Sequence, residues 1–114
     1  MDPQIKEILD DLLEFRRERD WEQFHSPKNL AISISIEAAE LLELFQWLEC
    51  HEILQPEKKK QAAEEIADIF IYLILISHGL GVDLIEAAKR KILDNAEKYP
   101  VSKSRGTAKK YKEF

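Results

Sequence analysis

A single cysteine, Cys50, stands in 114 residues, so no internal disulfide can staple the chain, and a lone thiol fits a reducing compartment. Long apolar runs are missing too. The longest, residues 69–76, falls far short of the roughly 20 residues that a membrane-crossing helix needs. The N-terminus is acidic and amphipathic and does not read as a signal peptide, so a cytoplasmic protein without membrane contact is expected. The formal net charge of −5 argues against a general nucleic-acid binder. There is no G-x-x-x-x-G-K-[ST] word to cradle β- and γ-phosphates. The one Glu-x-x-His word, Glu22 to His25, falls in a loop between the expected helices rather than on one, which disfavours a di-iron carboxylate centre. Repeats, low-complexity segments and convincing strands are also lacking. Residues 32–36 alternate like a strand but lie within a longer helical pattern.

What remains is helical. The four prolines all fall at expected helix boundaries: Pro3, Pro27 and Pro56 suit first turns, and Pro100 is a stop. Helices are expected over about 3–19, 27–49, 56–77 and 83–99, with Ser26 capping the second and Asp83 with Glu86 forming a capping box for the fourth. Gly79 and Gly81 are expected to end the third. The fold class is therefore all-α, a four-helix bundle-like protomer forming one domain over 1–114. The stretch after Pro100 reads as an aperiodic basic tail, with Lys103, Arg105, Lys109, Lys110 and Lys112 and no acid among residues 103–112.

Two acidic words interrupt this apolar pattern. Glu37 and Glu40 lie three residues apart on the second helix, and Glu65 and Asp68 three apart on the third, so each pair shares a helix face. At about 100° per residue, Glu37 falls within the stripe made by Leu30, Ile34, Leu41, Leu44, Phe45 and Leu48, and Glu40 at its flank. Glu65 and Asp68 point among Tyr72, Leu75 and Ile76. A solvated charged face is the ordinary reading of such pairs. Here the carboxylates sit on core-facing stripes, with only Lys28 and Arg90 even loosely placed to answer them. Carboxylates taken out of water need a compensating charge or a proton. A hard divalent cation, Mg²⁺ or Mn²⁺, answers all of them with oxygen ligands.

The third helix carries a second message. Apolar residues between Ile66 and Ile76 cover nearly every direction around its axis, the pattern of a helix buried on all sides. One small protomer cannot easily enclose it, so a homodimer or homotetramer is expected.

The pair Glu37-x-x-Glu40 followed by Glu65-x-x-Asp68 resembles the signature of the MazG-like all-α nucleoside triphosphate pyrophosphohydrolases. The similarity extends to the branch typified by dCTP pyrophosphatase through Arg19-Asp20-Trp21-Glu22-Gln23-Phe24-His25, Glu43-Leu44-Phe45-Gln46-Trp47, Ile71-Tyr72-Leu73, Val82-Asp83-Leu84, Tyr99-Pro100-Val101 and Ser104-Arg105-Gly106. The resemblance implies Mg²⁺-dependent hydrolysis of a (deoxy)nucleoside triphosphate, dCTP or a modified pyrimidine nucleotide, to the monophosphate and pyrophosphate. It implies Glu37, Glu40, Glu65 and Asp68 as metal ligands and catalytic carboxylates, and Trp21 and Trp47 as aromatics lining a base pocket. Beside it, the residues suggest phosphate or sugar contacts from Tyr72, from the Lys91, Asn95 and Tyr99 stripe of the fourth helix, and from Arg105, Lys109 and Lys110. For each, core packing or a solvated stripe is the plainer alternative.

The chain departs from some relatives of this branch at one point. They carry a histidine on the first helix near the base, where this chain has Leu12, which leaves His25 as the nearby imidazole. Two alternatives stand beside this assignment: a related pyrophosphohydrolase acting on another nucleotide, and a non-catalytic helical dimerisation module.

Overall fold

The computed structural model describes residues 1–114 and is all-α: five helices and two short 3-10 turns, with no strand. The chain divides into two compact units, Met1–Val82 and Asp83–Phe114.

In the first unit, α1 (Pro3–Glu18) is started by the Asp2 carboxylate, which accepts from the Gln4 and Ile5 amides at 2.9 and 3.2 Å while Pro3 occupies the first turn. Its end is a left-handed cap. Asp20 takes φ +54, the one positive φ outside glycine, and the Trp21 amide reaches back to the Arg16 carbonyl at 3.0 Å as the Asp20 amide reaches Arg17 at 3.2 Å. This is the Schellman pattern, with a short polar residue in the place glycine usually takes. It sets Trp21 directly off the helix end. A 3-10 turn, Glu22–Phe24, leads to α2 (Pro27–Glu43), whose first turn is capped by the Ser26 hydroxyl accepting from Asn29 at 3.2 Å.

The longest helix, α3 (Pro56–Leu80), packs along α2 and also against α1. The N-terminus of α2 abuts the C-terminus of α3, where a Cβ added to Gly79 would lie 3.8 Å from Pro27 Cγ. The Glu37 and Glu65 words meet further along, so the two helices run antiparallel. Leu9, Leu30, Ala62, Ile74 and Leu75 form the fully buried apolar core. No single helix is long and apolar enough to cross a membrane.

The second unit holds α4 (Leu84–Lys98), capped by Asp83 accepting from Glu86 at 3.1 Å, and the one-turn α5 (Val101–Ser104). A last 3-10 turn, Tyr111–Glu113, brings Tyr111 and Phe114 edge-on to Tyr99 at 6.1 and 6.0 Å, and Lys98 lies 5.1 Å from the Tyr111 ring centre.

Three expected boundaries are corrected. The second helix ends at Glu43 rather than near 49, and the chain goes on in i→i−3 turns through Leu44, Phe45 and Gln46. Leu42, Phe45 and Trp47 there are 68%, 45% and 86% exposed, and a helix without a packing surface has little to hold it. The third helix runs three residues beyond 77, with Gly79 inside it. Gly81, at φ +69, is the actual stop, with Gly81 and Val82 amides returning to His78 and Ser77 carbonyls. The stretch after Pro100 was expected to be aperiodic, but it begins with the turn of α5, its Ser104 and Arg105 amides closing on the Pro100 and Val101 carbonyls.

Candidate active site

The antiparallel pairing of α2 and α3 brings the acidic words face to face. One carboxylate oxygen each of Glu37, Glu65 and Asp68 lie within 4.8 Å of one another. Glu37 and Glu65 are half-buried and Asp68 is exposed. The Oε2 atoms of Glu37 and of Glu65 are buried without a hydrogen-bond partner. Buried polar atoms are nearly always paired, so these orphaned oxygens mark a place that a cation fits. The donor set is all carboxylate, which suits a hard ion such as Mg²⁺ or Mn²⁺. The Glu37 carboxyl is pushed up to about 7, first by the Glu65 carboxyl beside it, then by burial and by Glu40 and Asp68.

Glu40 stands outside the close trio. It is exposed and lines a second hollow with Glu43, Leu44, Lys58, Gln61 and Glu65. Arg90, in α4, pairs with Asp94 at 3.7 Å.

On the other side of Asp68 opens a cavity of about 470 Å³, walled by one face of α1 (Ile8, Asp11, Leu12, Phe15, Arg16), by Trp21 and His25, and by Asp68, Ile71, Tyr72 and Leu75 of α3. Its rings form an edge-to-face ladder: Phe15 to Trp21 at 5.7 Å, Trp21 to His25 at 6.4 Å, and His25 to Tyr72 at 6.5 Å. Arg19 lies 3.6 Å over the Phe15 ring and braces its outer face. Burial, with the Arg16 cation beside it, holds the His25 imidazole below its ordinary value. Burial and the Glu37 and Asp68 charges raise the Tyr72 phenol.

Of the expected site residues, Glu37, Glu65 and Asp68 come together, and Trp21 and Tyr72 line the adjoining cavity. Trp47 does not line it. It sits past the end of α2 at 86% exposure. Lys91 and Asn95 are exposed on α4, and Tyr99 is half-buried against Tyr111 and Phe114. Arg105, Lys109 and Lys110 are exposed in the second unit. Phe15 and Arg16 line the cavity and were not among the expected site residues. Arg16 carried a signal, for it lies three, four and seven residues from Leu13, Leu12 and Leu9 on their apolar stripe.

Known proteins resemble this chain over most of its length. Residues 32–114 match the MazG-like family. The chain is 41% identical over 114 residues to dCTP pyrophosphatase 1 of Rattus norvegicus, covering 96% of this chain and 67% of that protein. It is 37% identical over 117 residues to dCTP pyrophosphatase 1 of Homo sapiens, covering 99% and 69%. A pyrophosphatase crystal structure from Archaeoglobus fulgidus superposes with a TM-score of 0.76 at 44% identity, covering 88% of this chain and 95% of that one.

Proposed function

The chain belongs to the MazG-like family and is a nucleoside triphosphate pyrophosphohydrolase, and we propose that it cleaves dCTP or a modified pyrimidine nucleotide to the monophosphate and pyrophosphate with Mg²⁺. One observation carries the reading: Asp68 belongs both to the carboxylate trio and to the aromatic cavity. A base held in the cavity leaves its α-phosphate, the phosphate nearest the base, closest to the carboxylates. Attack there releases pyrophosphate.

Glu37, Glu65 and Asp68 would hold the cation, with Glu40 at the edge of the set. When bound, Mg²⁺ supplies charge neutralisation for phosphate oxygens and lowers the pKa of a water. Trp21 stacks on the base, and its ring is already fixed by Phe15 and His25. Tyr72, one turn from Asp68, offers its phenol to the sugar or a phosphate. In the second unit Lys91, Asn95 and Tyr99 share one stripe of α4, and with Arg105, Lys109 and Lys110 they supply groups suited to a polyphosphate.

The assembly is a homodimer or homotetramer in a cytoplasmic setting. Ile66, Leu42 and Trp47 are 54%, 68% and 86% exposed, and apolar side chains left so open favour a second copy of the chain. Light scattering at micromolar concentration is expected to show a dimer or tetramer, and a well-folded monomer would refute the assembly.

The decisive experiment is product analysis in ¹⁸O water across a panel of nucleoside triphosphates, with Mg²⁺ and with excess chelator. Monophosphate carrying the label, plus pyrophosphate, is expected in Mg²⁺ only. Diphosphate and free phosphate as first products would overturn the bond assignment, and full turnover in chelator would overturn the metal.

A further inference from the structure

The cavity beside Asp68 contains a charge that its chemistry does not explain. Arg16 is only 9% exposed, yet it is one of the cavity's walls. Its neighbours Arg17 and Arg19 are engaged, Arg17 with Glu14 and Arg19 with the Phe15 carbonyl at 3.0 Å. The Arg16 guanidinium makes no hydrogen bond or ion pair. Outside the helix's own bonds, only its backbone carbonyl is used, as acceptor for Trp21 in the cap of α1. None of its nitrogens is closed off without a partner, so the guanidinium stays open to a group that enters the cavity. A second unpaired group stands nearby: His25 Nδ1 is buried with no partner. Arg16 is close enough to help hold that imidazole neutral, and a neutral imidazole has one ring nitrogen free to accept.

The ligand's chemistry follows from the walls. Most of them are apolar or aromatic, which suits a flat ring rather than a phosphate. The two carboxylates among them, Asp11 and Asp68, further disfavour an anion. A guanidinium presents two parallel N–H donors, and it pairs best with two adjacent acceptors. Cytosine offers N3 and O2 side by side, with its amino donor next to them. Uracil and thymine place an N3–H donor between their carbonyls, so a guanidinium facing that edge meets a donor.

We propose that Arg16 is the residue that selects the base, its guanidinium donating to cytosine N3 and O2. This deepens the proposed function and rests on its placing the base in this cavity. Arg16 acts in binding and touches no reacting atom.

The test is binding, measured by Trp21 quenching in excess chelator so that no turnover intervenes. Probes are deoxycytidine, dCMP, dUMP, dTMP, dGMP and the 3-deaza analogue of dCMP, which replaces the N3 acceptor by C–H. One good bidentate base contact is worth about a tenfold to hundredfold discrimination. Wild type is expected to bind dCMP at least about tenfold more tightly than dUMP, dTMP or the 3-deaza analogue. Arg16→Met should weaken deoxycytidine and dCMP equally and bring dCMP to the level of dTMP. Arg16→Lys keeps the charge without the fork and should lose most of the same discrimination. The proposal is overturned by wild-type affinities that ignore the base or N3, by dGMP binding most tightly, or by folded variants that keep the cytosine preference. An Arg16→Met loss seen with dCMP but not with deoxycytidine would make the residue a phosphate ligand and overturn it too. Cytosine-selective binding without hydrolysis would leave this inference standing and remove the proposed reaction. Hydrolysis with a base choice indifferent to Arg16 would do the reverse.

Discussion

The carboxylate trio and the aromatic cavity meet at Asp68, and they are held in place by opposite means. In the cavity the side chains satisfy one another: Phe15, Trp21, His25 and Tyr72 stack edge to face, and the cap at Asp20 fixes where Trp21 leaves α1. In the trio the side chains oppose one another. Glu37 and Glu65 each bury an oxygen with no partner, and Glu37 takes up a proton near neutrality to relieve the crowding. The cavity's rings pack on one another without a ligand, whereas the trio leaves two buried carboxylate oxygens unanswered. The same helices, α2 and α3, build the trio from strong packing, so that packing bears the cost of holding like charges together.

The largest expected effect breaks this contrast at Glu65. Glu65→Ala should lower Mg²⁺-dependent turnover by about a thousandfold or more, the several kcal/mol a metal supplies to phosphoryl chemistry. Thermal unfolding in chelator at pH 8 should show an apo protein as stable as wild type or more so, because one of the crowded charges is gone. A large fall in apo stability would show that Glu65 is a structural group rather than a ligand. Either result is read from two measurements on one variant.

The second prediction sharpens the cavity side. Trp21→Ala should weaken nucleotide binding by about 1–3 kcal/mol, the usual worth of stacking a base on an aromatic ring. Turnover at saturating substrate should change much less, since the trio is untouched. Unchanged affinity for every nucleotide would remove Trp21 from the base.

How much of this was legible in the sequence depended on contrast with the local pattern. Glu37 stood out because a carboxylate on a stripe of leucines is rare, and the trio formed around it. Arg16 lies on an equally apolar stripe, but Arg17 and Arg19 beside it make the stretch look like an ordinary solvated face. The burial that separates Arg16 from them depends on α1 packing against α3, a tertiary fact. Caps were readable at Ser26 and Asp83 because they rest on local hydrogen bonds. The end of α2 was not, because apolar periodicity continues past Glu43 while the surface it would pack on is absent from the same chain. Trp47 shows both sides: its aromatic character was plain, and its distance from the cavity was not.

The smallest effect is in pH, and there the two regions pull in opposite directions. The Glu37 carboxyl, ordinarily at 4.5, is raised to about 7 in the fold. The folded chain therefore binds its proton more tightly than the unfolded chain does. The stability this contributes is complete below about 4.5 and is lost as pH rises through about 7. The His25 imidazole is held below its ordinary 6.5 by burial and by Arg16. Here the unfolded chain binds the proton more tightly, so stability falls as pH drops below 6.5. Between about pH 4.5 and 6.5 the two slopes oppose and partly cancel in wild type in chelator, and from 6.5 to about 7 the Glu37 loss stands alone as an alkaline slope of melting temperature. Glu37→Gln should remove that alkaline slope, and His25→Gln should remove the opposing one, so that melting temperature falls more steeply from about 4.5 upward. Both groups are partly open to solvent, which keeps each change to roughly a few degrees. Added Mg²⁺ should restore the alkaline side of wild type, because its ligands must be deprotonated and its affinity grows over the same window. An alkaline slope that survives Glu37→Gln would move that proton to another group. A slope unmoved by Mg²⁺ would separate the titrating carboxylate from the cation altogether.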